Sequence, residues 1–233
     1  MGPEEVQVWK DAKSHSQAEE ELIQNFSQQV RILCWVLTEP KSHKRKAMHV
    51  KATWGKRCNK LLFMSSEQDP NLPSIDLGVA EGRNNLWGKT KAAFRYIYKT
   101  HLEDADFFLK ADDDTYVIVE NLRKMLMNKD SQSKIYFGRR FRPFVYQGYT
   151  SGGAGYVLTK EAVKAFVEDA LPNPLLCRQD NGGPEDVEIG KCLSNVNVKL
   201  MDSRDEFGRE RFNPFEPQLH LIKGAGNYFT INT

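Results

Sequence analysis

The stretch Asp106–Val117, DFFLKADDDTYV, sets the reading of the chain. An apolar run, Phe107-Phe108-Leu109, leads through Lys110 and Ala111 into three successive carboxylates, Asp112, Asp113 and Asp114. A short apolar run of this kind reads as a buried strand. Like charges at its end repel, and in a low-dielectric site at least one would have its pKa forced up unless a cation sits among the oxygens. Hard divalent cations such as Mg²⁺ and Mn²⁺ prefer oxygen ligands. In an extended segment, residues two apart project to the same side. Asp112 and Asp114 are therefore expected to share one cation while Asp113 points elsewhere. Two carboxylates make an open site, usually completed by substrate phosphate oxygens, and this suggests a nucleoside diphosphate ligand.

Plainer explanations of the triplet fit less well. A solvated charge run is the commonest, but FFL precedes and YVIV follows, so the segment should be packed on both sides. Acids also stabilise the first turn of a helix, yet the helix expected over Val119–Met127 starts too late for Asp112. A calcium-binding EF-hand loop is excluded by spacing: counted from Asp112, position 6 is Val117 rather than Gly, and position 12 is Arg123 rather than Glu.

Outward from this stretch, strands alternate with helices. Arg31–Thr38 (RILCWVLT) is a continuous apolar run expected of a central parallel strand. Lys44–Trp54 has helical character, Lys60–Ser65 reads as a strand, and Leu86–Thr100 places Leu86, Ala93 and Ile97 at helical spacing. Ile135–Gly138 reads as a strand. Gly153–Thr159 leads into a helix over Lys160–Ala170, a short helix follows over Pro184–Leu193, and Val198–Asp202 is the last strand. The parsimonious architecture is α/β, a mostly parallel central sheet flanked by helices. Ligands of such sheets bind at the carboxyl ends of the strands, where the acidic triplet falls. Residues 1–28 are polar and charged and read as a linker or marginal helix.

The chain has 233 residues, a hydrophobic fraction of 40% and a formal charge of +2 with acids and bases intermixed. A nucleic-acid partner is not expected, because basic residues do not cluster. No apolar run approaches the roughly 20 residues that span a bilayer. The N-terminus MGPEEVQVWK has no apolar core of a signal peptide, and Val6 stands where a myristoylation signal wants Ser or Thr. Four cysteines, Cys34, Cys58, Cys177 and Cys192, form no C-x-x-C pair. Zinc or thioredoxin-like chemistry is not expected. An even count permits two disulfides, with the local pairings Cys34–Cys58 and Cys177–Cys192 as the expectation and four reduced thiols as the open alternative. One N-glycosylation triplet, Asn25-Phe26-Ser27, is usable only in a secreted chain.

No Walker A sequence exists, so P-loop chemistry is out. Ser151-Gly152-Gly153-Ala154-Gly155 lacks the third glycine of a dinucleotide fingerprint. It reads as a tight loop, or as a surface where a flat ligand approaches the backbone. Arg83 and Lys89 in EGRNNLWGKT are basic candidates near the cleft. In Gly182-Gly183-Pro184-Glu185-Asp186, Pro184 can open a helix and place Glu185 and Asp186 in its first turn, either as partners of the helix dipole or as a general base.

FLKADDDTYV, SGGAGYVL and HVKATWG resemble the inverting β1,3-glycosyltransferases that include fringe. RILCWVLTEP, EGRNNLWGKT, IYFGRRFRPFVYQGYT and HLIKG bring the closer resemblance to the core 1 β1,3-galactosyltransferases of that family, over about residues 30–224. The resemblance implies a GT-A fold over residues 29–224 with a polar stem-like segment before it and a divergent tail over 225–233. It implies UDP-galactose as donor, Mn²⁺ as cofactor and N-acetylgalactosamine α-linked to Ser or Thr of a glycoprotein as acceptor. By position it implies that Leu37, Glu81, Gly82, Arg83, Lys89 and Asp112 bind the nucleotide sugar, that Asp112 and Asp114 hold the metal, and that Asp186 rather than Glu185 is the catalytic base. It also implies a lumenal Golgi location, a homodimeric state, and the two disulfides. Family chains carry an N-terminal membrane anchor and continue past HLIKG to a late histidine that completes the metal shell. This chain turns to AGNYFTINT instead, His220 is not that ligand, and an inactive nucleotide-binding or folding-partner relative is the alternative expectation.

Overall fold

The computed structural model describes residues 24–221. The expectations for residues 1–23 and for the tail 225–233 lie outside them. Residues 24–29 are helical. The elements that follow are β1 (Ile32–Leu37), α1 (Met48–Ala52, entered through a π-helical His43–Ala47), β2 (Lys60–Ser65), β3 (Ser74–Asp76), α2 (Leu86–His101) and β4 (Phe107–Asp112). Then come α3 (Val119–Leu126), β5 (Ile135–Gly138), β6 (Arg140–Phe141), β7 (Tyr149–Thr150), β8 (Tyr156–Thr159), α4 (Lys160–Lys164, prolonged by a π-helical Ala165–Ala170), α5 (Glu185–Asn195), β9 (Lys199–Leu200) and α6 (Pro217–Leu221).

Seven strands form one sheet in the order β3-β2-β1-β4-β8-β5-β9. All run parallel except β8, which is antiparallel to both β4 and β5. β6 and β7 pair as a separate antiparallel ribbon. The chain moves from β1 outward to β2 and β3, then crosses back to place β4 on the other side of β1. The point where strand order reverses therefore lies between β1 and β4, and open α/β sheets bind ligands at the carboxyl ends of strands at such a point. In register, Leu37 is the partner of Asp112, so the acidic triplet lies in that crevice.

Side-chain alternation along the strands builds two cores. Leu33, Trp35 and Phe108 face α2, α4 with its π-helical extension, and α5, meeting Phe94, Ile97, Phe166, Ile189 and Leu193. Ile32, Cys34, Val36, Phe107 and Leu109 face α1 and α3, meeting Val50, Trp54, Leu122 and Leu126. Each fully buried side chain of this size contributes about 1.5–3 kcal/mol. Both disulfides have the expected local pairing, Cys34–Cys58 with a Cα–Cα distance of 6.0 Å and Cys177–Cys192 with 4.8 Å. The helix expected over Lys44–Trp54 is interrupted at Thr53 (φ −112°, ψ −112°), beyond which the chain tightens into a 3₁₀ turn. Thr159 caps α4, its hydroxyl accepting from the Ala162 N–H at 3.2 Å.

Candidate active site

β4 carries alternate residues to the α2/α5 side of the sheet, and on that side Phe108 is followed by Lys110 and Asp112. The Lys110 side chain is 3% exposed. Its ammonium donates to Asp112 Oδ1 at 2.7 Å and to the Gly152 carbonyl at 3.1 Å, and it lies 5.8 Å from the centre of the Tyr156 ring. Burial alone would lower its pKa, but Asp112, Glu185 and Asp186 outweigh that and hold it above the ordinary lysine value. The buried ammonium thus ties the end of β4 to the loop at Gly152, which in turn borders Glu185 at the start of α5.

The second half of this cluster comes from α5, which begins at Glu185 with Pro184 as its N-cap. Pro184 sits one residue earlier in the helix frame than the sequence suggests. Glu185 is buried, and its Oε1 accepts from the Thr90 hydroxyl at 2.8 Å and the Tyr156 hydroxyl at 2.7 Å. Burial raises its carboxyl above the ordinary glutamate value, against the opposing Lys110 charge and the two hydroxyls. Asp186 is only half-buried, and among the described residues its one side-chain hydrogen bond is Oδ1 accepting the N–H of Val187 at 2.9 Å. Adjacent acids at one helix start therefore stand in unlike surroundings, one locked in the interior and one open to the cleft.

Glycines let these elements close up. A Cβ on Gly152 would lie 3.1 Å from Glu185 Oε2 and 3.5 Å from Lys110 Nζ. Gly155 has φ +76°, and a Cβ there would lie 2.8 Å from the Lys110 carbonyl. The SGGAG loop thus passes backbone between β4 and α5, and it allows β8 to run antiparallel beside β4.

The rest of the triplet is held differently. The Thr115 N–H donates to the Asp112 carbonyl at 3.1 Å, so the chain turns at the triplet. The expected alternation, with Asp113 pointing away from an Asp112–Asp114 pair, rests on an extended backbone and does not hold past Asp112. Instead Lys46 joins Asp114 at 2.8 Å and Asp113 at 3.3 Å. Asp113 also accepts from the Thr38 hydroxyl at 2.7 Å, and burial raises its carboxyl above the ordinary aspartate value. The hydrogen bond to Asp114 holds the Lys46 ammonium above its usual value.

Thr38 links this group to the loop before α2. Its carbonyl accepts from Lys89 Nζ at 2.7 Å, and the same ammonium meets both Glu81 carboxylate oxygens at 2.8 and 2.9 Å. Lys89 is 1% exposed, with three partners for its three protons. It braces Glu81 against the end of β1 and offers no free ammonium to the cleft. Gly82, at φ +109°, turns the chain between Glu81 and the 3₁₀ turn Arg83–Asn85. Arg83 is exposed and has no ion-pair partner among the described residues. Leu37 closes the floor beside Asp112.

The donor chemistry suits a hard divalent cation. Asp112 and Asp114 carry carboxylate oxygens, the donors such cations prefer, and are 31% and 66% exposed, each bonded to its own lysine. Among the described residues no group of three His, Cys, Asp or Glu is assembled to hold a metal. Sequence reasoning missed Lys110, Lys46, Thr38 and the Thr90–Glu185–Tyr156 contact. Only Lys110 left a signal, as a charge inside an apolar run two residues before Asp112.

Residues 27–218 match the Fringe-like family model. The chain belongs to the Fringe-like family. Its mostly parallel, helix-flanked sheet is accordingly of the GT-A type. Over 207 residues, 89% of this chain and 57% of the relative, it is 47% identical to glycoprotein-N-acetylgalactosamine 3-beta-galactosyltransferase 1 of Xenopus laevis. It is 27% identical over 172 residues to the beta-1,3-glucosyltransferase of Mus musculus, covering 72% of this chain and 34% of that one. It is 24% identical over 177 residues to human chondroitin sulfate synthase 3, covering 68% and 20%. The chain thus spans about half, or less, of the length of the curated relatives it matches.

Proposed function

We propose that the protein is an inverting glycosyltransferase that moves galactose from UDP-galactose in β1,3 linkage onto N-acetylgalactosamine α-linked to Ser or Thr of glycoproteins, in the Golgi lumen. The observation that carries the reading is that Lys110, bonded to Asp112 at the strand-order reversal, and Asp186, at the start of α5, both border Gly152. The 47% identity to a relative named for that transfer supports the choice of donor and acceptor.

An inverting transfer is one in-line displacement: the acceptor 3-hydroxyl attacks C1 of galactose while UDP departs on the opposite face. Asp186 takes the hydroxyl proton as general base. It is the half-buried acid of its pair, with one carboxylate oxygen uncommitted among the described residues, whereas Glu185 is buried under Thr90 and Tyr156. Asp112 and Asp114 would hold Mn²⁺, which when bound supplies charge stabilisation to the leaving diphosphate. Lys110 keeps Asp112 and the acids of α5 from repelling one another, and so fixes the spacing between donor and acceptor sides of the cleft. Glu81, braced by Lys89, and the exposed Arg83 face the nucleotide from the α2 side, with Leu37 beneath it.

The test is transfer of radiolabelled galactose to a synthetic peptide carrying α-linked N-acetylgalactosamine. Manganese-dependent, β1,3-linked product that disappears in Asp186→Asn supports the reading. Undiminished turnover in that variant removes Asp186 from the role, and product with another donor sugar overturns the substrate assignment.

A further inference from the structure

Asn25-Phe26-Ser27 is the single Asn-x-Ser/Thr triplet in the chain, and the active site makes no use of it. Residues 24–29 are helical, and the helix sorts the three side chains. Phe26 packs against the sheet face that carries Cys34, Val36 and Phe63. Ser27 Oγ donates to the Gln24 carbonyl at 2.7 Å. Asn25 is exposed, and its amide has no hydrogen-bond partner among the described residues. A substituent on Asn25 Nδ2 therefore displaces no hydrogen bond among the described residues. The segment is held from below, with Asn59 Nδ2 donating to the Ser27 carbonyl at 2.9 Å and the Val30 N–H to the Phe26 carbonyl at 3.2 Å.

A second, independent observation concerns the compartment. All four cysteines are paired; Cys34, Cys177 and Cys192 are buried and Cys58 is half-buried. Disulfides form and persist in oxidising compartments such as the secretory lumen, where asparagines in this triplet become glycosylated.

We propose that Asn25 is an N-glycosylation site. Asn25 Nδ2 forms a bond to C1 of the reducing-end N-acetylglucosamine of a lipid-diphosphate-linked oligosaccharide. The C1–O bond to the lipid diphosphate breaks, the lipid diphosphate departs, and the amide nitrogen gives up one proton. The glycan sits at the start of β1, at the amino ends of the central strands. Asp112–Asp114 lie at the opposite, carboxyl ends of those strands, so the glycan does not depend on the transfer chemistry.

The chain is directed into the lumen of a eukaryotic secretory pathway by a cleavable leader and recovered with both disulfides formed. Peptide-N-glycosidase treatment is expected to increase its electrophoretic mobility by the mass of one glycan and to convert Asn25 to aspartate in the mass spectrum of its peptide. Asn25→Gln and Ser27→Ala lose the shift, and Ser27→Thr retains it. Recovered protein whose mobility the glycosidase leaves unchanged overturns the proposal, and so does a shift that survives in Asn25→Gln.

Discussion

Lys110 and Lys46 both sit against carboxylates of the acidic triplet, but in opposite settings. Lys110 is 3% exposed and is enclosed by Asp112, the Gly152 carbonyl, Tyr156 and the start of α5. Lys46 is 36% exposed and reaches Asp113 and Asp114 from the surface. A buried ion pair that loses one partner leaves an uncompensated charge in the interior, at about 3–5 kcal/mol. An exposed pair contributes about 0–1 kcal/mol. The triplet is thus fixed at its first residue and yielding at its third. That division suits the proposed site, in which Asp114 would exchange its lysine for a cation.

The largest effect is expected of Lys110→Met, which leaves Asp112 and Glu185 without their shared counter-charge. Urea unfolding should show a loss of about 3–5 kcal/mol, and a loss below 1 kcal/mol would mean that Lys110 does not join β4 to α5. Asp186→Asn should slow transfer by about 10²–10⁴-fold, the usual worth of a general base. Its unfolding midpoint should stay within that of a surface substitution. A comparable rate loss in Glu185→Gln with Asp186→Asn unaffected would exchange the roles of the two acids.

A pH experiment sharpens the contrast between those neighbours. Burial lifts the folded pKa of Glu185 above its unfolded value of about 4.5. Its contribution to stability is therefore fully present below that unfolded value and is lost as pH rises through the raised folded pKa. Glu185→Gln cannot ionise. Its unfolding free energy should gain on that of the parent as pH is raised across this window, and a difference that is flat with pH would contradict the assignment. A smaller effect than Lys110→Met is expected of Lys46→Met: its pair with the exposed Asp114 is worth at most about 1 kcal/mol, while Asp113, 10% exposed, keeps the Thr38 hydroxyl, and uptake of manganese with UDP is retained.

Much of the first half of the sheet was legible in the sequence. RILCWVLT, KLLFMS and FFLKA are apolar runs long enough to be buried strands, and β1, β2 and β4 fall on them to within a residue. Ser74–Asp76 and the two-residue strands β6 and β7 carry no run to detect. The reversed direction of β8 depends on Gly155 passing over the Lys110 carbonyl, a contact between residues 45 positions apart. The roles expected of Asp112 and Asp186 came from the family resemblance. Spacing alone placed each acid at the end of an element without joining them. Lys89 was expected to bind the nucleotide sugar; in the structure its protons go to Glu81 and Thr38. The partners of a charge are set by tertiary approach, and its local sequence does not record them.

The most direct measurement is calorimetry of UDP binding with and without manganese, on the parent chain and on Asp112→Asn. Uptake of UDP that requires manganese in the parent and is lost in Asp112→Asn is the predicted result. Equal binding of UDP in the absence of manganese, or in the variant, would contradict the account.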